Sequence, residues 1–97
     1  MAQTVQTVIV HAGQQKILVK KPHVLRRIFV SIQVLAPPEA WAESRISFDD
    51  PMFYSYYTLA GFSKYFEARG DGIFQGDVWV FNITTGDLSY TVTEILI

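Results

Sequence analysis

The side chains best suited to catalysis in this sequence are its two histidines, His11 and His23. A nucleophilic enzyme needs a nucleophile, a general base and a group that orients the base, and histidine is the commonest base. Neither histidine lies in a motif that supplies the other groups, and no Gly-x-Ser-x-Gly turn occurs. We therefore assign no catalytic residues and predict that the protein is not an enzyme. The alternative in this class is a small cupin-like hydrolase or lyase, which requires both histidines to converge with a carboxylate.

The acidic side chains offer a second chemistry, because carboxylate oxygens in loops can bind calcium. Asp49 and Asp50 are adjacent, and Asp71 and Asp77 flank a glycine-rich segment, but neither pair lies in a calcium-binding loop motif. The histidines lack the spacing of a metal-binding pair, and the chain has no cysteine to supply a thiolate. No glycine-rich loop is followed by the Lys-Ser/Thr pair that binds phosphate. We predict no metal site and no cofactor.

The elements that must position these side chains are strands. Residues 24–35 alternate between an apolar, β-branched face and a mixed face. Twelve residues are long for one strand, so the pattern predicts a bend or bulge within it. The same patterning predicts further strands over 4–11, 15–21, 44–48, 62–68, 77–84 and 88–97. Residues 12–14 predict a turn, residues 85–87 predict a hairpin between the last two strands, and residues 53–60 fit no clean period.

This strand pattern predicts the fold class. Seven to eight strands in 97 residues are typical of an all-β, single-domain antiparallel β-sandwich, and the strand spacing favours a jelly roll. We predict that residues 1–97 form one such domain, because the length allows no second one.

The composition excludes several classes of function. Apolar residues make up 49% of the chain and charged residues 18%, which argues against a disordered protein. Residues 1–45 carry six basic and two acidic side chains, whereas residues 46–97 carry two basic and seven acidic ones. Because the aromatic residues concentrate in the acidic part, we predict no nucleic-acid binding. No apolar stretch approaches the roughly 18 residues of a membrane helix, so we predict no membrane span.

Aromatic side chains are concentrated in one segment. Eleven of the fourteen lie between Phe48 and Phe81, which is more than one small core can easily bury. Because large rings with polar tips are enriched where proteins meet, we expect part of this set to form a partner interface. The predicted interface residues are Trp41, Phe53, Tyr54, Tyr56, Tyr57 and Tyr65.

The C-terminal third resembles a known class of proteins. Residues 64–82, KYFEARGDGIFQGDVWVFN, and residues 88–97, LSYTVTEILI, are similar to small β-sandwich virion proteins of tailed bacteriophages that cement or decorate the capsid. The resemblance covers about 35 residues. It implies a non-enzymatic structural protein, synthesised in the host cytoplasm, on the capsid surface of the virion. The implied partners are the major capsid protein and further copies of the chain, often as a homotrimer.

Two functions in the binding class therefore remain open. The first is a cement or decoration protein that stabilises a bacteriophage capsid through apolar and aromatic subunit contacts. The alternative is a carbohydrate-binding or receptor-binding module of a phage tail or fibre, in which Trp41 and the tyrosines at 54, 56 and 57 stack on sugar rings.

Overall fold

The strands of the domain follow from a computed structural model, which describes residues 2–35, 44–48, 56–59, 65–70 and 72–97. Within these ranges the chain forms eight strands and no helix. The strands are β1 (Ala2–Val10), β2 (Gln15–Val19), β3 (Arg27–Leu35), β4 (Ser44–Phe48), β5 (Tyr56–Leu59), β6 (Tyr65–Arg69), β7 (Val78–Asn82) and β8 (Leu88–Leu96).

The eight strands are divided between two four-stranded sheets. The first sheet has the order β1-β8-β3-β6, and the second has the order β2-β7-β4-β5. All six strand pairings are antiparallel. Consecutive strands alternate between the sheets except for β4 and β5, which pair in the second sheet, and this interleaved order is that of a jelly roll. The predicted all-β antiparallel sandwich of seven to eight strands is confirmed.

The core lies between the sheets and is mainly aliphatic. Strands β7 and β8 alternate buried and half-buried residues along most of their length, as expected for strands with one face on a core. Tyr90 is the one aromatic residue in this buried core of the described chain. The buried core residues are Val10, Leu18, Val19, Val30, Ile32, Val34, Ile46, Val78, Val80, Leu88, Tyr90 and Val92.

Strand β3 contains the predicted bulge but begins later than the pattern indicates. It starts at Arg27 rather than Val24, which lies in the preceding loop and is 95% exposed. The register with β8 shifts between Arg27 and Phe29. A bulge inserts one residue and so reverses the alternation of faces on one side of it. As a result Arg27 is buried, although the pattern assigns Arg26 to the apolar face.

The predicted hairpin at residues 85–87 is wrong. Strand β7 belongs to the second sheet and β8 to the first, so residues 83–87 cross from one sheet to the other. The buried Asn82 stabilises this crossing, because its Nδ2 donates to the carbonyls of Val10 and Gly86, both at 2.9 Å. Its Oδ1 accepts a hydrogen bond from the backbone N–H of Thr84 at 3.0 Å. The turn motif therefore predicted where the chain changes direction, but not which sheet the next strand joins.

Candidate interaction surface

The outer face of the sheet β1-β8-β3-β6, called the outer face below, carries a concentration of exposed apolar side chains. In the described chain, the exposed large hydrophobic residues on this face are Val5 (61%), Ile9 (55%), Leu35 (48%) and Tyr65 (50%). They are exposed because the neighbouring positions of β1 and β3, including Val10, Val30 and Val34, already supply the core. The outer face thus offers apolar area beyond what folding uses.

Short polar side chains occupy the middle of the outer face. The strand register places Thr93 of β8 between Val5 and Ser31, and Ser89 between Ile9 and Leu35. Ser and Thr of β3 and β8, together with the exposed Gln33, make the middle of this face polar, and longer apolar side chains lie towards its rim. The solvent-facing side of a sheet fits another protein better than a small molecule, because small-molecule sites are concave.

A charged and aromatic cluster lies on β6, at one edge of the outer face. Tyr65 donates its hydroxyl to Glu67 at 2.7 Å, and Arg69 Nε donates to the same carboxylate at 2.9 Å. The Arg69 guanidinium lies 5.3 Å from the ring centroid of Phe29, which is a cation–π distance. The hydrogen bond from Tyr65, followed by that from Arg69, lowers the pKa of Glu67. The same hydrogen bond raises the pKa of Tyr65, because its proton is shared with a carboxylate.

Tyr65 lies on the outer face as a half-exposed residue of the edge strand β6. Tyr56 and Tyr57 lie on β5, the edge strand of the second sheet. The remaining predicted interface residues, Trp41, Phe53 and Tyr54, lie outside the described residues. The six residues therefore stay a prediction, and the structure assigns one of them to the outer face.

The aliphatic part of the outer face was missed by the sequence prediction. Val5, Ile9 and Leu35 are residue types that strand patterns usually assign to a core. A signal for them exists in β1, whose sequence AQTVQTVIV carries Val, Ile or Thr on both faces. A strand with two such faces has only one core to bury them in.

A cleft of about 600 Å³ separates the edges of the two sheets at β1 and β2. Thr4, Gln6 and Val8 of β1 line one side, and residues 16–20 line the other. Gln6 spans the cleft by donating from Nε2 to the carbonyl of Leu18 at 2.7 Å. The cleft exists because β1 has nine residues and β2 only five, so that the first half of β1 faces no strand of equal length.

Arg27 forms a buried polar node beside this cleft. The side chain is fully buried, and its Nε donates to Glu94 at 2.7 Å. The two Nη atoms donate to the carbonyls of residues 74 and 76, at 3.0 and 2.9 Å, and to that of Lys20 at 3.2 Å. Gln75 exchanges two further hydrogen bonds of 2.7 Å with the Arg27 backbone. Because these groups satisfy one another, the node anchors residues 74–76 to the core and offers no ligand site.

The two histidines lie at opposite ends of β2. His11 precedes this strand and His23 follows it, and five extended residues span about 17 Å. His11 Nδ1 lies 3.1 Å from Asp87 Oδ2, and this hydrogen bond lowers the pKa of the exposed Asp87. Across the part of the chain that the structure describes, no three His, Asp or Glu side chains form a metal-binding group. The convergence of both histidines that a cupin-like site requires is therefore not observed.

Comparison with known proteins assigns no family to the chain. No family model matches it, and no curated protein matches it. The described ranges contain no helix with the length and apolar character needed to span a membrane. A functional proposal therefore depends on the fold and on the outer face.

Proposed function

We propose that this protein is a non-enzymatic structural protein of a bacteriophage virion, which binds the major capsid protein and stabilises the capsid surface. The observation that carries this proposal is the outer face, on which Val5, Ile9, Leu35 and Tyr65 remain about half or more exposed. Exposed apolar patches of this kind mark protein interfaces. The jelly roll, a fold used by viral capsid proteins, and the resemblance of residues 64–97 to capsid cement proteins also support it.

The stabilisation is mechanical in this proposal. Each bound copy buries apolar area, which contributes roughly 25 cal/mol of favourable free energy per Å². The costs of association offset much of this gain. Repetition of the contact over the shell raises the total binding strength, so one weak site per copy suffices. The Glu67–Arg69 cluster at the rim favours one orientation on a partner of complementary charge.

Self-association is part of the same proposal. Tyr56 and Tyr57 on β5, together with Trp41, Phe53 and Tyr54, remain the predicted aromatic contacts between subunits. The homotrimer implied by the resemblance remains a prediction for these contacts.

Co-sedimentation with expanded capsids of the encoding phage tests the proposal. We expect the purified chain to bind these capsids saturably. Tyr65→Ala and Leu35→Glu should each weaken binding about tenfold or more, since truncating an aromatic anchor commonly costs 1–2 kcal/mol or more at an interface. The matched control is Val24→Glu, which adds the same charge at a 95% exposed position in the loop before β3, outside the strands of the outer face. This variant should bind like the wild type.

Two results would contradict the proposal. One is a folded wild-type chain that does not bind capsids, and the other is equal binding by Leu35→Glu and Val24→Glu. Retention of the chain on a polysaccharide column, combined with no capsid binding, would support the carbohydrate-binding alternative instead.

A further inference from the structure

The backbone groups on the free edge of β1 can be identified from the hydrogen bonds of β8. Ile97 exchanges two backbone hydrogen bonds with Arg26, at 2.9 and 2.7 Å, so the odd-numbered residues of β8 point towards β3. The even-numbered residues of β8 then point towards β1, where they stand opposite even-numbered residues. The N–H and C=O groups of Val5, Thr7 and Ile9 therefore point away from the sheet. Lys16 Nζ donates to the Ile9 carbonyl at 3.4 Å from this side, which agrees with the outward direction of that carbonyl.

The sequence of β1 lacks the features that usually prevent strand pairing at an edge. Within the described residues, the only strand paired with β1 is β8. The segment Ala2–Val10 contains no charged residue, no proline and no glycine, and its register with β8 has no bulge. Natural sheets normally protect an edge with one of these devices. Lys16 of β2 reaches this edge at the Ile9 carbonyl, but β1 itself carries none of these devices, so the rest of its nine-residue edge is a template for another strand.

One antiparallel register with a second copy of β1 pairs both exposed apolar residues of this edge with each other. With Thr7 on a two-fold axis, Val5 of each copy stands opposite Ile9 of the other. Both side chains lie on the outer face and are more than half exposed in the single chain, at 61% and 55%. The register centred on Gln6 instead pairs Val5 with Thr7 and Gln3 with Ile9, so each apolar side chain meets a polar one. Cross-strand apolar pairs are the main source of stability in sheet pairing, which favours the Thr7 register.

We propose that β1 pairs with β1 of a second copy across a two-fold axis at Thr7, forming one continuous eight-stranded sheet. The pairing supplies about six backbone hydrogen bonds, two at the Thr7 pair and two at each Val5–Ile9 pair. Lys16 releases the Ile9 carbonyl when the partner strand binds. The two outer faces become one surface, and the contact is isologous, so it joins chains in pairs. This inference does not depend on capsid binding, because the purified chain alone tests it.

Single cysteines test the register, because the chain contains none of its own. Opposite Cα atoms in a hydrogen-bonded antiparallel pair are about 5.5 Å apart, which a disulfide can span. Thr7→Cys should therefore form a covalent dimer under mild oxidation. Val5→Cys is the matched control on the same edge and face. In this register the position-5 residues of the two chains lie four residues apart along the strands, about 14 Å. Val5→Cys should therefore not cross-link with itself, but a mixture of Val5→Cys and Ile9→Cys should cross-link.

Light scattering after size-exclusion chromatography tests the pairing itself. The wild-type chain should have twice its mass of 11.0 kDa, or another even multiple. Thr7→Lys places two like charges opposite each other on the axis and should halve this mass. Gln33→Lys, an exposed position on the outer face of the central strand β3, is the control and should leave the mass unchanged. A mixture of Thr7→Lys and Thr7→Glu should restore the pair.

Several results would overturn the inference. They are a monomeric wild-type chain, an oligomer whose mass Thr7→Lys leaves intact, and cross-linking of Val5→Cys alone at the rate of Thr7→Cys. If the lysine variant does not fold, the cysteine variants decide, because absence of a Thr7→Cys dimer from the folded protein also overturns the inference.

Discussion

Replacement of Arg27 by methionine tests how much the buried Arg27 node, which anchors residues 74–76, contributes to the stability of the fold. The substitution keeps much of the side-chain volume but removes the partner of Glu94, which is 7% exposed. Removing one partner of a buried ion pair costs about 3–5 kcal/mol, because the other charge stays buried without compensation. Domains of this size have a free energy of unfolding of about 5–15 kcal/mol. We therefore expect Arg27→Met to remove between a fifth and nearly all of the stability.

The assay is urea unfolding monitored by tryptophan fluorescence, in a cycle with Glu94→Leu. Replacing a buried ion pair by apolar side chains is often nearly neutral, so the double variant should recover the part of the loss that comes from unpaired Glu94. It should not recover the part that comes from the carbonyls of Lys20 and residues 74 and 76, which still lack their Arg27 donors. Arg69→Met is the matched control, because its ion pair with Glu67 is exposed, with 69% of the Arg69 side chain accessible. Exposed pairs contribute about 0–1 kcal/mol. The reasoning is refuted if Arg27→Met costs no more than Arg69→Met, or if the double variant loses as much as the two single variants together.

Two further predictions concern the loop and the charged cluster. A Cβ at position 76 would overlap the side-chain ring of Phe74, which must move to admit it, so Gly76→Ala should lower the free energy of unfolding by about 1–3 kcal/mol. Gly72→Ala meets no atom within 4 Å and should change it by less than about 0.5 kcal/mol; equal effects in a thermal melt would contradict the packing. Tyr65→Phe removes the main cause of the low pKa of Glu67, so an NMR titration should show that pKa rising towards its ordinary value. Because the folded-state pKa is lowered, the contribution of Glu67 to stability is present above its unfolded-state pKa and is lost as the pH falls through the folded-state value; an unchanged pKa in the variant would contradict this cause.

Strand existence could be predicted from the sequence, because alternation of side chains directly reflects a sheet with one buried face. Strand β4 occupies the predicted residues 44–48, and β8 differs from its prediction by one residue. Connectivity could not be predicted in the same way. The turn chemistry of residues 85–87 is the same whether the next strand pairs with the previous one or crosses to the other sheet. The deciding contacts come from Asn82, which bonds to Val10, a residue distant in the sequence.

The buried node and the outer face show two further limits of sequence reasoning. The bulge after Arg27 reverses which arginine enters the interior, and no local residue pattern separates Arg26 from Arg27 at this point. The concentration of aromatic residues predicted a partner surface and included Tyr65, which is exposed. Val5, Ile9 and Leu35 were not predicted there, because their burial depends on whether a second layer covers that face of the sheet.

Cryo-electron microscopy of the virion that encodes this chain tests the proposed function most directly. We predict copies of the jelly roll on the outer surface of the capsid, with the outer face of β1-β8-β3-β6 against the major capsid protein. Absence of the chain from the shell, its presence only in the tail, or contact with the shell through the second sheet would contradict the proposal.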